Sequence, residues 1–285
     1  MENTKNSFIL KTWKREMTIG DRTWIMGVLN VTPDSFSDGG FFQSPEEAVE
    51  SGVRMVEEGA DIVDVGGESS RPGAEPVSLK EELRRVIPVI EGLVGRVTVP
   101  ISIDTTKAEV AREAVASGAE IINDISAMRF DDQMPVVVAA TGAAVILMHM
   151  RGTPKDMQEG NLTYRSLLPD ITEFLRVRME EAKSAGVELE RIMIDPGLGF
   201  GKTAEDNMKL LRYLSAFRVL GRPIVTGVSR KSFIGKVTGG TPRDRLEGTA
   251  AALTVAIMNG SHVVRVHDVR AMKKVAAMAD AILGA

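Results

Sequence analysis

Eight short apolar runs, each with a polar or charged side chain at or near its end, recur along this chain of 285 residues. They cover residues 23–30, 62–66, 101–104, 121–124, 144–149, 192–195, 224–231 and 263–267. Continuous apolar runs are typical of strands buried on both faces, and their alternation with helical stretches predicts an α/β fold of the (β/α)8 TIM-barrel type. In such a barrel the carboxyl ends of the strands meet at one face, so the polar residues are expected to share one pocket.

The segment before the first run predicts a separate small element. Residues 8–13 and 17–19 are short apolar stretches, and Gly20-Asp21 is a turn signal. We expect residues 1–22 to form a β-hairpin that closes the amino-terminal, bottom end of the barrel. Because no Pro- or Ser-rich linker divides the sequence, residues 1–285 are expected to form one domain.

Helix signals and loop lengths indicate which end of the barrel is active. Ser44-Pro45 and Ser78 have the residue types of helix N-caps and predict helices that run to Glu58 and to about Leu93. Further helices are expected over residues 164–185, 243–258 and 269–283. Irregular loops follow strands one, two and five at the carboxyl end. Long loops in compact domains are commonly binding segments, so this end is the predicted active face.

Composition narrows the possible functions. The chain has 35 basic and 39 acidic residues and a net charge of −4, whereas nucleic-acid binders usually carry a basic surplus. It has no cysteine, which excludes disulfides and thiolate chemistry. No apolar run approaches the roughly 20 residues that span a bilayer, and the amino terminus lacks the order of a signal peptide. We therefore expect a cytoplasmic protein that acts on small molecules, without a nucleic-acid or membrane partner.

The first set of candidate site residues consists of acids, amides and one lysine at or near strand ends: Asn30, Asp64, Asp104, Asn123, Asp195 and Lys231. Any one of the carboxylates could simply cap a neighbouring helix. As a group they would be costly to bury without a ligand or partner. Because a carboxylate can accept two adjacent N–H bonds from the edge of an amino-pyrimidinone, the set suits a flat heterocycle rich in N–H donors.

A second set is cationic or hydroxylic and is expected at the same face: Ser69, Ser70, Arg71, Arg265 and His267. These groups could seat a phosphate or pyrophosphate. Asn30 offers one neutral oxygen to a Mg²⁺ that arrives with such a ligand, since Mg²⁺ keeps several waters and takes phosphate oxygens. For Arg265 the alternative is an internal ion pair with a nearby acid. No cluster has the spacing of a protein-caged metal.

Three features have mainly structural interpretations. Residues 197–202 (GLGFGK) superficially resemble a phosphate loop but have the spacing of neither the Rossmann nor the P-loop motif, so we interpret them as a tight turn. His149 could line the site or simply end its strand, and we favour the structural interpretation. His262 falls at the amino end of strand eight, away from the expected chemistry.

Several segments, taken in order, resemble the dihydropteroate synthase family. The first two are NVTPDSFSDGG at residues 30–40 and DVGGESSRPG at residues 64–73. The others are SIDT (102–105), INDI (122–125), DPG (195–197), SRKS (229–232) and RVHD (265–268). The resemblance extends from about Thr23 to the C-terminus and is highly specific. Two small departures are Ser70, where many relatives have Thr, and Ala127, where Gly is usual.

The resemblance implies a transferase of folate biosynthesis. Such an enzyme condenses 6-hydroxymethyl-7,8-dihydropterin pyrophosphate with p-aminobenzoate to give 7,8-dihydropteroate and pyrophosphate. It also implies inhibition by sulfonamides, which imitate p-aminobenzoate, and a homodimer formed through the later helices.

The same resemblance implies roles for residues at the matching positions. The pterin ring would be bound by Asp64, Asp104, Asn123, Asp195 and Lys231. The pyrophosphate would be held by Asn30, Ser69, Ser70, Arg71, Arg265 and His267, with Mg²⁺ at Asn30. The p-aminobenzoate would lie against Phe36, Ser70, Arg71, Pro72, Lys231 and Ser232. The catalytic group would consist of Asp38, Asp104, Lys231, Arg265 and His267.

Two other functions are left open by the sequence. A methyltransferase that moves a methyl group from methyltetrahydrofolate to a corrinoid protein uses the same pterin-binding barrel, but it needs neither a pyrophosphate site nor a p-aminobenzoate site. A non-catalytic pterin-binding homologue would be favoured by the loss of Asn30, Lys231 or Arg265, and all three are present.

Overall fold

The computed structural model describes residues 6–31, 44–160 and 162–285. Within these ranges the strands are β1 (Phe8–Lys11), β2 (Glu16–Ile19), β3 (Trp24–Asn30), β4 (Ile62–Gly66), β5 (Ile101–Asp104), β6 (Ile121–Asp124), β7 (Ala144–Met148), β8 (Ile192–Asp195), β9 (Val225–Gly227) and β10 (Val263–Val266). The α-helices are α1 (Pro45–Glu57), α2 (Leu79–Leu93), α3 (Ala108–Ala116), α4 (Met134–Thr141), α5 (Leu167–Ser184), α6 (Ala204–Arg212), α7 (Ser232–Thr238), α8 (Leu246–Met258) and α9 (Val269–Leu283). Short 3₁₀ turns occupy Leu189–Arg191, Leu214–Leu220 and Pro242–Asp244. None of the helices in these ranges has both the length and the apolar character needed to cross a bilayer.

Eight parallel strands form one sheet that curls into a barrel. Their order is β8-β7-β6-β5-β4-β3-β10-β9. The two ends of the sheet meet where Ile194 pairs with Ile224, and the Ile194 N–H donates to the Pro223 carbonyl at 3.0 Å. The helices follow the strands in alternation, which confirms the predicted (β/α)8 barrel.

The strands are buried because their side chains are largely branched and apolar. Every residue of β4 to β8 is buried, including the acids near the strand ends. Helix α2 turns Val86, Val89, Ile90 and Leu93 towards the core cluster outside the barrel wall. Burial on both sides of the sheet leaves the strand ends as the places where polar groups can reach a ligand.

The predicted hairpin is confirmed. Strands β1 and β2 pair antiparallel, and Leu10 and Ile19 are fully buried against inward-facing residues of the barrel strands such as Met26. Arg15 of the hairpin donates to Glu120 at 2.8 Å, which ties the hairpin to the barrel. The hairpin therefore seals the end of the barrel opposite the candidate site.

The predicted N-caps of the first two helices are also confirmed. The Ser44 and Ser78 hydroxyl oxygens accept the N–H groups of Glu47 and Glu81 at 3.4 and 3.3 Å. Each cap satisfies a backbone donor that has no partner inside its helix, so these helix starts are visible in the sequence.

One predicted strand boundary is wrong, and it lies next to a site residue. The sequence predicts a strand over residues 224–231, but β9 ends at Gly227 and the chain turns at Arg230, whose φ is 56°. The helix predicted over residues 243–258 is present as α8, which begins at Leu246 after the 3₁₀ turn at Pro242–Asp244. Helix α7 was not predicted, and Gly239 and Gly240, with φ of 75° and 79°, end it.

Candidate active site

The carboxyl ends of the barrel strands bring the predicted acids and amide together. Asp64 lies in β4, Asp104 ends β5, Asn123 lies in β6 and Asp195 ends β8. In the sheet register Asp104 pairs with Gly66 on one side and with Asn123 on the other. None of the three acids and the asparagine is more than 8% exposed, so each side chain needs polar partners or a ligand.

Arg265 of β10 joins two of these acids. Its Nε donates to Asp64 Oδ2 and its Nη2 donates to Asp104 Oδ2, both at 2.6 Å. The internal ion pair considered for Arg265 is therefore present, with two acids rather than one. Burial opposes the positive charge, but Asp64 and Asp104 outweigh it and raise the pKa of the guanidinium. Its Nη1 makes no hydrogen bond to any described residue and can face a ligand.

Asp64 supports its neighbours from inside the barrel wall. It is 0% exposed, and Oδ2 also accepts Asn123 Nδ2 at 3.1 Å. Its Oδ1 is buried without a hydrogen-bond partner in the described part of the chain. This geometry orients Arg265 and Asn123 towards the mouth of the barrel. Direct contact between Asp64 and a pterin ring stays a prediction, and the burial of its carboxylate does not favour it.

Lys231 and Asp195 border the same space. Burial and the nearby Arg265 lower the pKa of Lys231 to about 8, against the attraction of Asp195 and Asp104. Burial raises the pKa of Asp195 to about 6, although Oδ1 accepts the Gly197 N–H at 2.7 Å. Burial also raises the pKa of Asp104, with Arg265 opposing the rise. Asp104 and Asp195 end parallel strands of one barrel and Lys231 follows β9, so the three groups lie at one mouth and not at opposite ends of the molecule.

His267 lies at the same face but is not the cation that the sequence indicates. Burial and the nearby Arg265 lower its pKa to about 3, so it is neutral near pH 7. Ser229 Oγ accepts the His267 backbone N–H at 3.2 Å and lies 3.0 Å from Nδ1. The consistent assignment is that the Ser229 hydroxyl donates to Nδ1, which leaves an N–H on Nε2 to donate to an anion.

The loop after β4 carries four of the predicted binding residues: Ser69, Ser70, Arg71 and Pro72. A cleft lined by Ser69, Ser70 and Asp104 connects this loop to the mouth. Arg71 is exposed, and its guanidinium makes no ion pair within the described ranges. It is therefore available to a ligand carboxylate.

The base of this loop is held by a charged bridge that sequence analysis missed. Lys107 Nζ donates to Glu68 and to the buried Glu82, both at 2.5 Å. Glu68 also accepts the Val77 N–H at 3.0 Å, which closes the loop on itself. The nearest sequence signal is a lysine three residues after Asp104, but its partners come from two other segments of the chain.

Asn30, for which a Mg²⁺ ligand role is predicted, lies near Asp104 at the end of its strand. It ends β3 opposite Gly66, and a Cβ on Gly66 would lie 3.6 Å from Asn30 Oδ1 and 3.5 Å from the Asp104 Cβ. One neutral oxygen beside the acids fits a Mg²⁺ that keeps its waters and binds pyrophosphate. No group of three or more His, Asp or Glu residues able to cage a metal occurs among the described residues. The metal therefore stays a proposal.

Three further predicted residues border this site or fall outside the description. Ser232 is exposed and begins α7, directly after Lys231. Phe36 and Asp38 lie outside the described residues. Their implied roles stay predictions.

Phe200 is a site residue that sequence analysis missed. Its ring centroid lies 4.1 Å from Lys231 Nζ, which is a cation–π contact. Its side chain belongs to a small apolar cluster beside the mouth, with Ile125, Met148, Met150 and Met157. An aromatic residue between glycines directly after a strand end is a signal for such a position, but the interpretation of residues 197–202 as a tight turn did not use it.

His149 has the structural placement that we favour from the sequence. It is 4% exposed and packs edge-to-face on Phe174 with ring centroids 4.8 Å apart. Burial and the adjacent Lys202 lower its pKa to about 2. Its Nδ1 lies 2.9 Å from Lys202 Nζ, so it belongs to the wall behind the site.

Comparison with known proteins gives a consistent result. The sequence model described as "Pterin binding enzyme" matches residues 26–267. A dihydropteroate synthase of Synechocystis sp. is 50% identical over 265 residues, which are 92% of this chain and 91% of that protein. Xanthomonas albilineans dihydropteroate synthase with 4-aminobenzoic acid matches with a TM-score of 0.91 at 44% identity, covering 98% of this chain and 100% of that one. The enzyme from the same organism in complex with 7,8-dihydropteroate matches with a TM-score of 0.86 at 42% identity, covering 97% and 99% of the two chains.

Proposed function

The chain belongs to the pterin-binding enzyme family, and from this membership and a dihydropteroate synthase relative at 50% identity we propose that it catalyses the dihydropteroate synthase reaction. The substrates are 6-hydroxymethyl-7,8-dihydropterin pyrophosphate and p-aminobenzoate, and the products are 7,8-dihydropteroate and pyrophosphate. The relatives favour this transferase over the corrinoid methyltransferase and the non-catalytic homologue.

The arrangement around Arg265 is the observation that carries the proposal. Its guanidinium holds Asp104 on one side of the mouth, and the Asp195 carboxylate and the Lys231 ammonium border the same space. Asp195 Oδ2 makes no hydrogen bond to a described residue and can accept N–H groups from the amino-pyrimidinone edge of a pterin. The acids that would bind the pterin ring therefore lie beside the cations that would attract the leaving pyrophosphate.

The pyrophosphate end of the substrate is assigned to two donors at the carboxyl end of β10, Arg265 in the strand and His267 directly after it. Arg265 Nη1 and His267 Nε2 have no partner among the described residues and can both donate to phosphate oxygens. Negative charge beside His267 would raise its pKa, so binding itself would favour the imidazolium. A Mg²⁺ held by Asn30 and the pyrophosphate would supply further neutralisation of the leaving group.

In the proposed chemistry the bond between the exocyclic methylene carbon and the pyrophosphate oxygen breaks, and a bond from that carbon to the amine nitrogen of p-aminobenzoate forms. Arg265 and His267 stabilise the departing anion, while Asp104 and Asp195 favour positive charge on the dihydropterin. The amine then releases a proton. Exclusion of water by the loop after β4 favours attack by the weak aromatic amine over hydrolysis.

The decisive test of this function is product formation. Purified protein is incubated with the pterin pyrophosphate, Mg²⁺ and p-aminobenzoate, and dihydropteroate is detected by mass spectrometry. We expect the product only when all three are present, and a sulfonamide should inhibit in competition with p-aminobenzoate. A folded protein that forms no dihydropteroate, or that transfers a methyl group from methyltetrahydrofolate instead, would contradict the proposal.

The pH dependence of kcat/KM for the pterin substrate is expected to be bell-shaped. Below about 6 Asp195 becomes protonated and loses its capacity to accept ring N–H groups, and above about 8 Lys231 loses its charge. A Lys231→Arg variant should lose the alkaline limb while retaining the acidic one, because a guanidinium stays protonated. Rates at each pH check this, and a flat wild-type profile across this range would contradict it.

Arg71→Ala is expected to raise KM for p-aminobenzoate by about 10–100-fold with a smaller change in kcat, because one charge-assisted hydrogen bond to the carboxylate is lost. The inhibition constant of a sulfonamide should change less, since that ligand lacks the carboxylate. The matched control is Arg176→Ala on the surface of α5, which should leave both constants unchanged. An unchanged KM in Arg71→Ala would remove Arg71 from the p-aminobenzoate site.

The proposal includes a homodimer in the cytoplasm. Helices α8 and α9 pack against each other and expose Leu246, Val255, Met278 and Ile282, which supports an association surface on these later helices. Light scattering during size-exclusion chromatography should give the mass of two chains. A single-chain mass at micromolar concentration would contradict the dimer, and cell fractionation tests the location.

A further inference from the structure

Lys202 is a buried lysine to which the proposed chemistry assigns no role. It follows the glycine loop, which we define as residues 197–201, directly after β8. The residue is 2% exposed. Its ammonium forms no ion pair within the described ranges, because all of its polar partners are neutral.

The Lys202 ammonium is surrounded by acceptors from the glycine loop and from the end of β7. It donates to the carbonyls of Gly197 at 2.8 Å, Phe200 at 3.0 Å and His149 at 3.3 Å, and it lies 2.9 Å from His149 Nδ1. A neutral amine has only two hydrogens for these acceptors, whereas an ammonium has three. Burial lowers the pKa of Lys202 well below its ordinary value, so this placement has a cost. A methionine of similar length would avoid that cost, and packing alone does not account for the lysine.

The backbone of the glycine loop has a conformation that directs some of its carbonyl groups inward, where they need a hydrogen-bond donor. Gly197, Gly199 and Gly201 have φ of 70°, 84° and 63°, in the left-handed region. A Cβ on Gly197 would lie 1.9 Å from the His149 carbonyl, so the loop packs directly on the backbone at the end of β7. The lysine satisfies two loop carbonyls that this conformation turns inward.

Two routes lead from Lys202 to the site. Through Gly197, the lysine holds the carbonyl of the residue whose N–H donates to Asp195 Oδ1 at 2.7 Å, and so restrains the residue that orients the pterin-facing carboxylate. Through Phe200, whose ring lies 4.1 Å from Lys231 Nζ, it fixes the surface on which the site lysine rests.

We propose that Lys202 is a positioning residue, whose amino group holds the glycine loop so that Asp195 and Lys231 face the same ligand. The inference rests on the proposed function, because the consequence of misplacing the two groups is measured as lost pterin binding and turnover. Displacements of about 1 Å at reacting groups commonly cost roughly 100-fold in rate. We therefore expect Lys202→Met to lower kcat/KM for the pterin substrate by about 10–100-fold.

The absence of cysteine from the sequence permits a direct chemical test. A Lys202→Cys variant carries a single thiol, which is alkylated in denaturant before refolding. Alkylation with 2-bromoethylamine restores an ammonium at lysine length, whereas 1-bromopropane gives an uncharged side chain of the same length. We expect the ammonium form to recover pterin affinity and turnover and the propyl form to fold without recovering them. Equal activity of the two forms would overturn the proposal.

Controls separate this outcome from a general loss of structure or function. Wild-type protein taken through the same unfolding and alkylation must retain activity, and Lys209→Met on the surface of α6 should behave as wild type. Failure of wild-type turnover would contradict the proposed function and not the role of Lys202. A crystal structure of Lys202→Met decides the geometry without activity: we expect the Phe200 ring to leave Lys231, and an unmoved glycine loop would overturn the inference.

Discussion

Arg265→Met is expected to lower the free energy of unfolding by about 3–5 kcal/mol and to abolish turnover. The guanidinium is the shared partner of Asp64, which is 0% exposed, and of Asp104. Without it, two acids are left buried side by side and lose the cation that is hydrogen-bonded to both. Urea unfolding of the purified variant measures the loss of stability, and product formation measures the loss of activity.

The loss of stability in Arg265→Met should depend on pH. Burial already raises the pKa of Asp104, and removal of Arg265 takes away the cation that opposes the rise. A carboxyl whose folded-state pKa is raised destabilises the fold fully above that pKa, and the penalty shrinks as the pH falls from there towards the pKa of the unfolded state. The difference from wild type should therefore be largest at alkaline pH and shrink in acid.

The matched control for this prediction is Arg84→Met, which removes a surface arginine paired with Glu81 on the same helix. Exposed pairs of this kind contribute little, so we expect no measurable change in the urea midpoint. Equal stability of Arg265→Met and Arg84→Met would contradict the buried bridge as a source of stability. Arg265→Lys should recover only part of the loss, because a single ammonium does not reproduce the planar fork that spans both acids.

Lys231→Ala is expected to lower kcat/KM for the pterin substrate by roughly 10²–10³-fold while the protein stays folded. The ammonium is the cation that faces Asp195 across the mouth, and its removal deletes a charged donor aimed at the ligand. Steady-state rates with each substrate varied in turn check the expectation. Circular dichroism and the urea midpoint establish that the variant is folded.

Lys236→Ala is the matched control for Lys231→Ala. Lys236 lies in α7, the helix that begins directly after Lys231, and it is exposed. Its removal should leave kcat and KM unchanged. Rates near wild type in Lys231→Ala would refute the assignment of Lys231 to the pterin site.

Most of the fold could be predicted because the signals are local. The apolar runs mark the barrel strands, and the serines at residues 44 and 78 mark helix starts through contacts only three residues away. The end of β9 could not be predicted in this way. Arg230 adopts a left-handed φ of 56° while its guanidinium pairs with Asp268 at 2.6 Å, and that partner is 38 residues further along the chain.

The position of the candidate site could be predicted from the sequence. The protonation state of His267 and the contacts of the buried Lys202 could not. Strand ends place Asp104, Asp195 and Arg265 at one mouth from sequence alone. The neutral state of His267 could not be read from the sequence, because it follows from burial and from cations on other segments. The burial of Lys202 could not be predicted from the sequence either, because its acceptors come from the glycine loop and from His149, 53 residues earlier.

The central claim is that acids and cations from distant strands converge on one pterin pyrophosphate. A crystal structure with a hydroxymethylpterin, pyrophosphate and Mg²⁺ tests it most directly. We predict that the amino-pyrimidinone edge lies on the Asp195 carboxylate, with pyrophosphate oxygens within hydrogen-bond distance of Arg265 Nη1 and His267 Nε2. A pterin bound in another cleft, or a pyrophosphate held away from β10, would contradict the account.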